Sequence, residues 1–210
     1  TYQPLEHVPH LNRGGWHDAG DFDLAAGSQA NTTMVLALAY EAFGLNSDQT
    51  TVDTARQLVI LHQPDGIPDL VQQVAHGVEN LLSSYRAGAD HSYIGIIEDS
   101  LERYALLGDT ASMTDNRVYD AARGAGVVSG AFSGTLDDRW VFTSRHTALE
   151  YKVIATLAAS SRVLRPWDQA LADECLHTAL AAWEREQSRP AADAPNCYVP
   201  RHPEVQEVLA

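Results

Sequence analysis

The chain has 210 residues, 45% of them apolar, enough to bury one sizeable core. Its formal net charge is −14, and a single lysine, Lys152, leaves arginine to supply the rest of the positive charge. That balance argues against nucleic acid as a partner, because neutralising phosphates takes clustered Lys and Arg, and no stretch approaches the ~20 apolar residues of a membrane span.

In chain order, Leu24, Met34, Val35, Leu38 and Phe43 fit one helical stripe over 22–43, with Gly44 placed to stop it. A shorter helix is expected over 52–61. Gln63-Pro64-Asp65-Gly66 reads as a turn, Pro and Gly supplying the backbone angles. Pro68 opens the next helix, in which Leu70, Val74, Val78, Leu81, Leu82 and Tyr85 recur at spacings of three and four. Another short helix is expected over 100–107. The stretch 108–144 is rich in Gly, Ser, Asp and Ala and reads as a loop; so long a loop is uncommon in a compact domain unless it carries function. Two long helices follow over 147–164 and 167–187, joined at Arg165-Pro166, then a Pro-rich tail over 188–203 and a helix opening at Glu204. No strand alternation and no fixed repeat period is visible, so the expected fold is all-α, antiparallel helices with long loops at one end.

The segment with chemical character is Arg13-Gly14-Gly15-Trp16-His17-Asp18-Ala19-Gly20-Asp21-Phe22. Its glycines allow a tightly folded backbone and close approach of a ligand. Asp18 and Asp21 are three apart, so on the first turn of a helix both carboxylates point the same way. Two acceptors on one side can hold a single water, one taking its proton and the other orienting it, which is the work of a general base. A helix N-terminus would favour the ionised carboxylate. The same spacing also suits a capping box with Asp18 as N-cap, or half of a calcium site.

The string Gly14-Gly15-Trp16-His17-Asp18-Ala19-Gly20-Asp21-Phe22 resembles the signature near the start of the catalytic domain of glycoside hydrolase family 9. Ile67-Pro68-Asp69-Leu70 and the helix running through Leu81-Leu82 echo the family's Pro-Asp-Leu helix, and Asp137-Asp138-Arg139-Trp140-Val141-Phe142-Thr143 resembles its bacterial members. The resemblance covers most of the chain and implies an (α/α)6 toroid, incomplete here with about half of its helices, with the substrate cleft over one end. It implies inverting cleavage of β-1,4-glucosidic bonds in cellulose, related β-glucans or cello-oligosaccharides. Asp21 would be the base and Asp18 the neighbour that holds the attacking water. An exo-acting glucosidase or glucosaminidase on the same scaffold, or a non-catalytic carbohydrate-binding protein, are the alternatives. A secreted or periplasmic, bacterial-type setting is implied, although no leader opens the sequence.

The family's general acid is a Glu in an Asn-Glu context followed by Asn-Ala near the far end of its domain. No such context occurs here, and Glu204 and Glu207 stand too early. An inverting hydrolase needs both carboxyl groups, about 6.5–9.5 Å apart. Residues 1–210 are therefore read as the N-terminal part of a catalytic domain whose remainder lies outside the chain, and as nearly inactive when isolated.

His17, adjoining the Asp pair, and His91, near where the family places a substrate-contacting His, are candidate sugar contacts. So are Arg139, for a carboxylate or sugar hydroxyl, and Trp140 with Phe142 as a stacking platform. Trp16 reads as the anchor of its loop, and Trp167 and Trp183 as core. The other histidines, His7, His10, His62, His76, His146, His177 and His202, show no metal-ligand spacing and are assigned no role. No cofactor is required and no metal site is assigned; Asp115, Asp120, Asp137 and Asp138 could hold a structural calcium, without an EF-hand spacing to support it. Cys175 and Cys197 read as two unpaired residues, a disulfide between them being the alternative.

Overall fold

Among the described residues four long helices form the core: α1 (Ala26–Phe43), α2 (Asp69–Gly88), α3 (Thr147–Leu164) and α4 (Gln169–Gln187). The computed structural model describes residues 11, 13–17, 24–96, 117–135, 141–193, 207–208 and 210. Helix α3 is the centre, packed by α1, α2 and α4. Along α3 only Lys152, Ala158 and Arg162 escape burial. Leu149, Val153, Leu157 and Val163 meet Ala30 and Ala37 of α1, Val74, Val78 and Leu81 of α2, and Ala172, Cys175 and Ala179 of α4 in one apolar cluster. Alanine on α1 and α4 keeps the helices close, and longer side chains on α2 and α3 fill the space between.

The helix ends follow from local chemistry. Gly44 closes α1 in a left-handed conformation (φ 59°), its N–H bonded to the Tyr40 carbonyl at 3.0 Å. Pro68 precedes α2, whose Asp69 carboxylate accepts from the Gln49 N–H. Asp168 caps α4, accepting from the Leu171 N–H at 3.0 Å, so that helix begins at Gln169 and not at 167. Trp167 accordingly lies in the α3–α4 corner, 38% exposed, with its indole N–H directed at the Tyr40 hydroxyl; it is not core. Trp183 is half-buried against the core, its ring 5.6 Å from that of Tyr151. Cys175 is a free, buried thiol, its pKa pushed up to about 12 chiefly by burial. Cys197 lies outside the described residues.

Three expectations are corrected. First, 52–61 is a hairpin, not a helix: β2 (Thr50–Asp53) pairs antiparallel with β3 (Leu58–Leu61). Thr50, Thr51, Val52, Val59 and Ile60 are β-branched and favour the pleated backbone. Asp53 turns the chain by accepting from the Arg56 N–H, and Gln57 takes φ 54°. The hairpin is tied to the start of α2 by the Asp65 carboxylate, which accepts from the Val52 N–H and from Gln72. Second, α1 starts at Ala26 because β1 (Leu24–Ala25) pairs with β4 (Gly95–Ile96), which in turn pairs with β8 (Val141–Phe142), both antiparallel. Third, the described part of 108–144 is partly ordered: β5 (Val118–Tyr119) runs parallel to β7 (Phe132–Ser133), which pairs antiparallel with β6 (Val128–Ser129). Strands only two residues long leave too little alternation to read from sequence. The helix expected over 100–107 lies outside the described residues, and no described helix is long and apolar enough to cross a membrane.

Helices α1 and α2 approach closely at Gly77, where a Cβ would sit 2.0 Å from Thr33 Oγ1 and 2.9 Å from Trp16 Cη2. Gly77→Ala is expected to lower stability by about 1–3 kcal/mol, overpacking outweighing alanine's better helix propensity. Urea denaturation of the purified chain, with the midpoint falling at constant slope, is the check.

Candidate active site

Residues 13–17 enter the seam between α1 and α2 as irregular backbone, and the seam supplies their hydrogen bonds. Gly14 and Gly15 both take positive φ (57° and 76°). A Cβ on Gly14 would stand 2.3 Å from the His76 carbonyl oxygen, so only glycine lets the chain lie flat on α2. The Gly15 N–H donates to that same carbonyl at 3.0 Å, and the Gly15 carbonyl meets His76 Nε2 at 2.6 Å. The Asn80 amide donates to the Arg13 carbonyl at 3.3 Å. From α1, Gln29 accepts from the Trp16 N–H at 2.9 Å and donates to the Trp16 carbonyl at 2.8 Å. The Trp16 indole N–H donates to Gln73 at 3.1 Å, and its ring lies edge-on to His76. Trp16 is thus the anchor of the loop, as the sequence suggests, and His17 beside it is exposed.

Asp18 and Asp21 lie outside the described residues. Two facts bear on the chain around them. The first turn of α1 contains no acidic residue, so the pair precedes that helix and does not sit on its first turn. Leu24 is pinned three residues after Asp21 by pairing with Ile96. The antiparallel register sets Leu24, Ile96 and Val141 at one end of the small sheet, so β1 and β8 are entered from the same end. Arg139 and Trp140, which precede Val141 in sequence, also lie outside the described residues.

His91 stands toward the opposite end, before β4. Its Nδ1 meets Asp90 Oδ1 at 2.6 Å and its Nε2 meets the Thr143 carbonyl at 2.7 Å, so both ring nitrogens are held by acceptors of the protein itself. Its hydrogen bond from His91 is the main reason the Asp90 carboxyl is held below its usual range. Any sugar contact through His91 would use the ring face or edge, which lies 5.5 Å from Tyr93 between ring centres. Asp120, a candidate calcium ligand, already pairs with Arg123 at 2.8 Å and accepts from the Ala122 N–H. Among the described residues no group of three or more His, Cys, Asp or Glu is arranged to hold a metal. Asp115, Asp137 and Asp138 lie outside them.

Beneath the loop that carries His91 is a buried polar cluster that sequence reading missed. Glu150 of α3, 1% exposed, accepts from the Ser92 N–H at 2.6 Å. Glu186 of α4, also buried, accepts from Arg145, Thr147 and Arg189. Arg189 continues to the Asp90 carbonyl and carboxylate. Burial lifts the Glu150 carboxyl from its ordinary 4.5 to about 8; the Ser92 N–H favours the ionised form but does not offset the desolvation. A second omission did leave a signal. Gln73, His76, Gly77 and Asn80 fall at helical spacing and form the polar stripe that receives the glycine turn.

The model of Glycosyl hydrolase family 9 matches residues 9–204, and the chain belongs to that family. Among solved structures it is similar to a metagenome-derived glycoside hydrolase family 9 endoglucanase, at 22% identity and TM-score 0.63, covering 93% of this chain and 31% of that one. It is similar also to an endoglucanase from the termite Nasutitermes takasagoensis, at 19% identity and TM-score 0.57, covering 93% and 39%. A thermostable endoglucanase from Alicyclobacillus acidocaldarius, in single-mutant form, shares 19% identity at TM-score 0.56, covering 90% and 30%. At these identities the likeness is one of fold, the (α/α)6 barrel, of which this chain holds a part. The chain spans about a third of the length of these relatives. No curated protein sequence matches significantly.

The Glu150 carboxyl makes stability fall with rising pH. Between 4.5 and about 8 the folded chain keeps a proton that the unfolded chain has released, so the penalty grows across that window and is complete above it. Glu150→Gln keeps the acceptor for Ser92 and removes the ionisation. It is expected to raise stability at pH 8 by an amount on the order of a few kcal/mol, with little change near pH 4.5, in thermal melts at the two pH values.

Proposed function

We propose that this chain is the N-terminal part of an inverting glycoside hydrolase catalytic domain that cleaves β-1,4-glucosidic bonds of cellulose, related β-glucans or cello-oligosaccharides. Asp21 takes a proton from water as its oxygen attacks the anomeric carbon on the face away from the leaving group. Asp18 orients that water. A Glu outside the 210 residues gives its proton to the glycosidic oxygen as the C–O bond breaks. His17 and Arg139 serve sugar hydroxyls, Trp140 stacks on a pyranose face, and His91 borders the substrate. The chemistry needs no cofactor, and a calcium ion would act structurally. A polymer that cannot cross a membrane implies a secreted or periplasmic enzyme.

What supports this reading is the glycine turn. The signature that opens at Gly14 and Gly15 is the one whose backbone the α1–α2 seam receives, and the motif belongs to a family of glycoside hydrolases. The order of elements supports it too: the strand after the Asp pair and the strand after Trp140 are entered from the same end of one sheet.

In the complete enzyme that contains this sequence, Asp21→Asn should lower kcat about 10²–10⁴-fold with little change in binding, since it removes proton transfer and keeps shape. Asp18→Asn should cost less. Hydrolysis of soluble cellulose derivatives is the assay, and full activity in Asp21→Asn would sink the assignment. The isolated 210-residue chain should show almost no turnover in that assay; a rate equal to that of the solved relatives would show that the acid is within it.

A further inference from the structure

We propose that Gln29 is a positioning residue of the active site: its carboxamide locks the backbone of Trp16, two residues before Asp18, and so fixes where the chain enters the segment that carries the acid pair. This rests on the reading of Asp21 as the base.

Gln29 lies on α1 and is 2% exposed, an unusual site for a long polar side chain on a helix whose neighbouring buried residues are Ala26, Ala30 and Thr33. Its burial is accounted for by two hydrogen bonds to a single residue, from the Trp16 N–H at 2.9 Å and to the Trp16 carbonyl at 2.8 Å. The pairing is that of a strand ladder, made by a side chain. Near neutral pH a primary amide of this length meets both needs, because one partner requires an acceptor and the other a donor, and an ionised carboxylate only accepts. A carboxylate would set negative charge against the carbonyl, and an aliphatic side chain would leave both backbone groups buried and unsatisfied.

The position matters more than the bonds themselves. Trp16 is two residues before Asp18, and Leu24, fixed by Ile96, is three after Asp21. The backbone is therefore fixed at Trp16 by Gln29 and at Leu24 by the sheet, and in sequence the acid pair falls between these two points. Gln29 also reaches Gly15, whose added Cβ would stand 2.9 Å from Gln29 Oε1. Thr33, one turn along, donates to the Gln29 carbonyl at 2.8 Å and packs on Gly77. Releasing the front anchor gives the acid pair freedom that a base cannot tolerate: a displacement of about 1 Å at a catalytic group can cost about 10²-fold.

The test is made in the complete enzyme. Gln29→Leu is expected to lower kcat about 10- to 100-fold while KM changes much less, because of the proposed sugar contacts only His17 adjoins Trp16. Gln29→Glu should behave alike at pH 7. Its deficit relative to wild type should narrow toward pH 5, where a protonated carboxyl donates and accepts as the amide does, whereas the Gln29→Leu deficit should not change with pH. Thr156→Val serves as the control for mere destabilisation. Thr156 donates to the Ala30 carbonyl on the same helix without touching the turn, and its loss should lower Tm and spare kcat. Hydrogen exchange of wild-type enzyme needs no variant: the Trp16 amide should be as protected as the amides of α1. Wild-type kcat in folded Gln29→Leu, a Gln29→Glu deficit that does not depend on pH, or a Trp16 amide that exchanges like open loop would each overturn the proposal. Asp21→Asn run in parallel separates the two ideas, since activity surviving there removes the base while the Trp16 exchange still reports on Gln29.

Discussion

Backbone that is neither helix nor strand still has an N–H and a carbonyl at each residue to satisfy, and burying it without partners is costly. Residues 13–16 meet that constraint by lying in the α1–α2 seam, where His76, Asn80 and Gln29 take over the bonds that a sheet would have made. The constraint is mutual. Two left-handed glycines let the chain come close enough, and Gly77 leaves room beneath the Trp16 ring. Motif and helix seam are therefore one object.

The helices forming that seam are backed by α3, along which only Lys152, Ala158 and Arg162 escape burial. The polar side chains that α3 buries must find partners inside the protein and are correspondingly consequential. Thr156 turns back to the Lys152 and Ala30 carbonyls, and Glu150 turns toward the loop of His91. A carboxyl in that position is kept neutral over much of the physiological range by desolvation. Around it, Glu186 gathers Arg145 and Arg189, and Arg189 extends to Asp90, so the loop between α2 and β4 is braced from two helices at once.

The glycine turn leads into β1, the long loop leads into β8, and β4 stands between them with its chain reversed. A three-stranded patch with two residues per strand contributes little stability of its own. Its consequence is geometric: it gathers into one place three segments that are far apart in sequence.

The sequence alone determined the family-bearing turn, the stop of α1 at Gly44, the start of α2 after Pro68 and both ends of α3, because glycine, proline and helical periodicity act locally. It also marked Trp16 as an anchor. At 52–61 apolar spacing pointed to helix against the β-branched residues, whose preference for strand is realised once β2 and β3 pair. Local rules misplaced Trp167, whose surroundings depend on Asp168 starting α4 two residues late. Only the tertiary structure decided that β1, β4 and β8 meet, that His91 has both nitrogens engaged, and that Gln29 faces Trp16. The reason is the same in each case: a pairing between residues distant along the chain depends on how the helices pack, and no spacing within one segment encodes it.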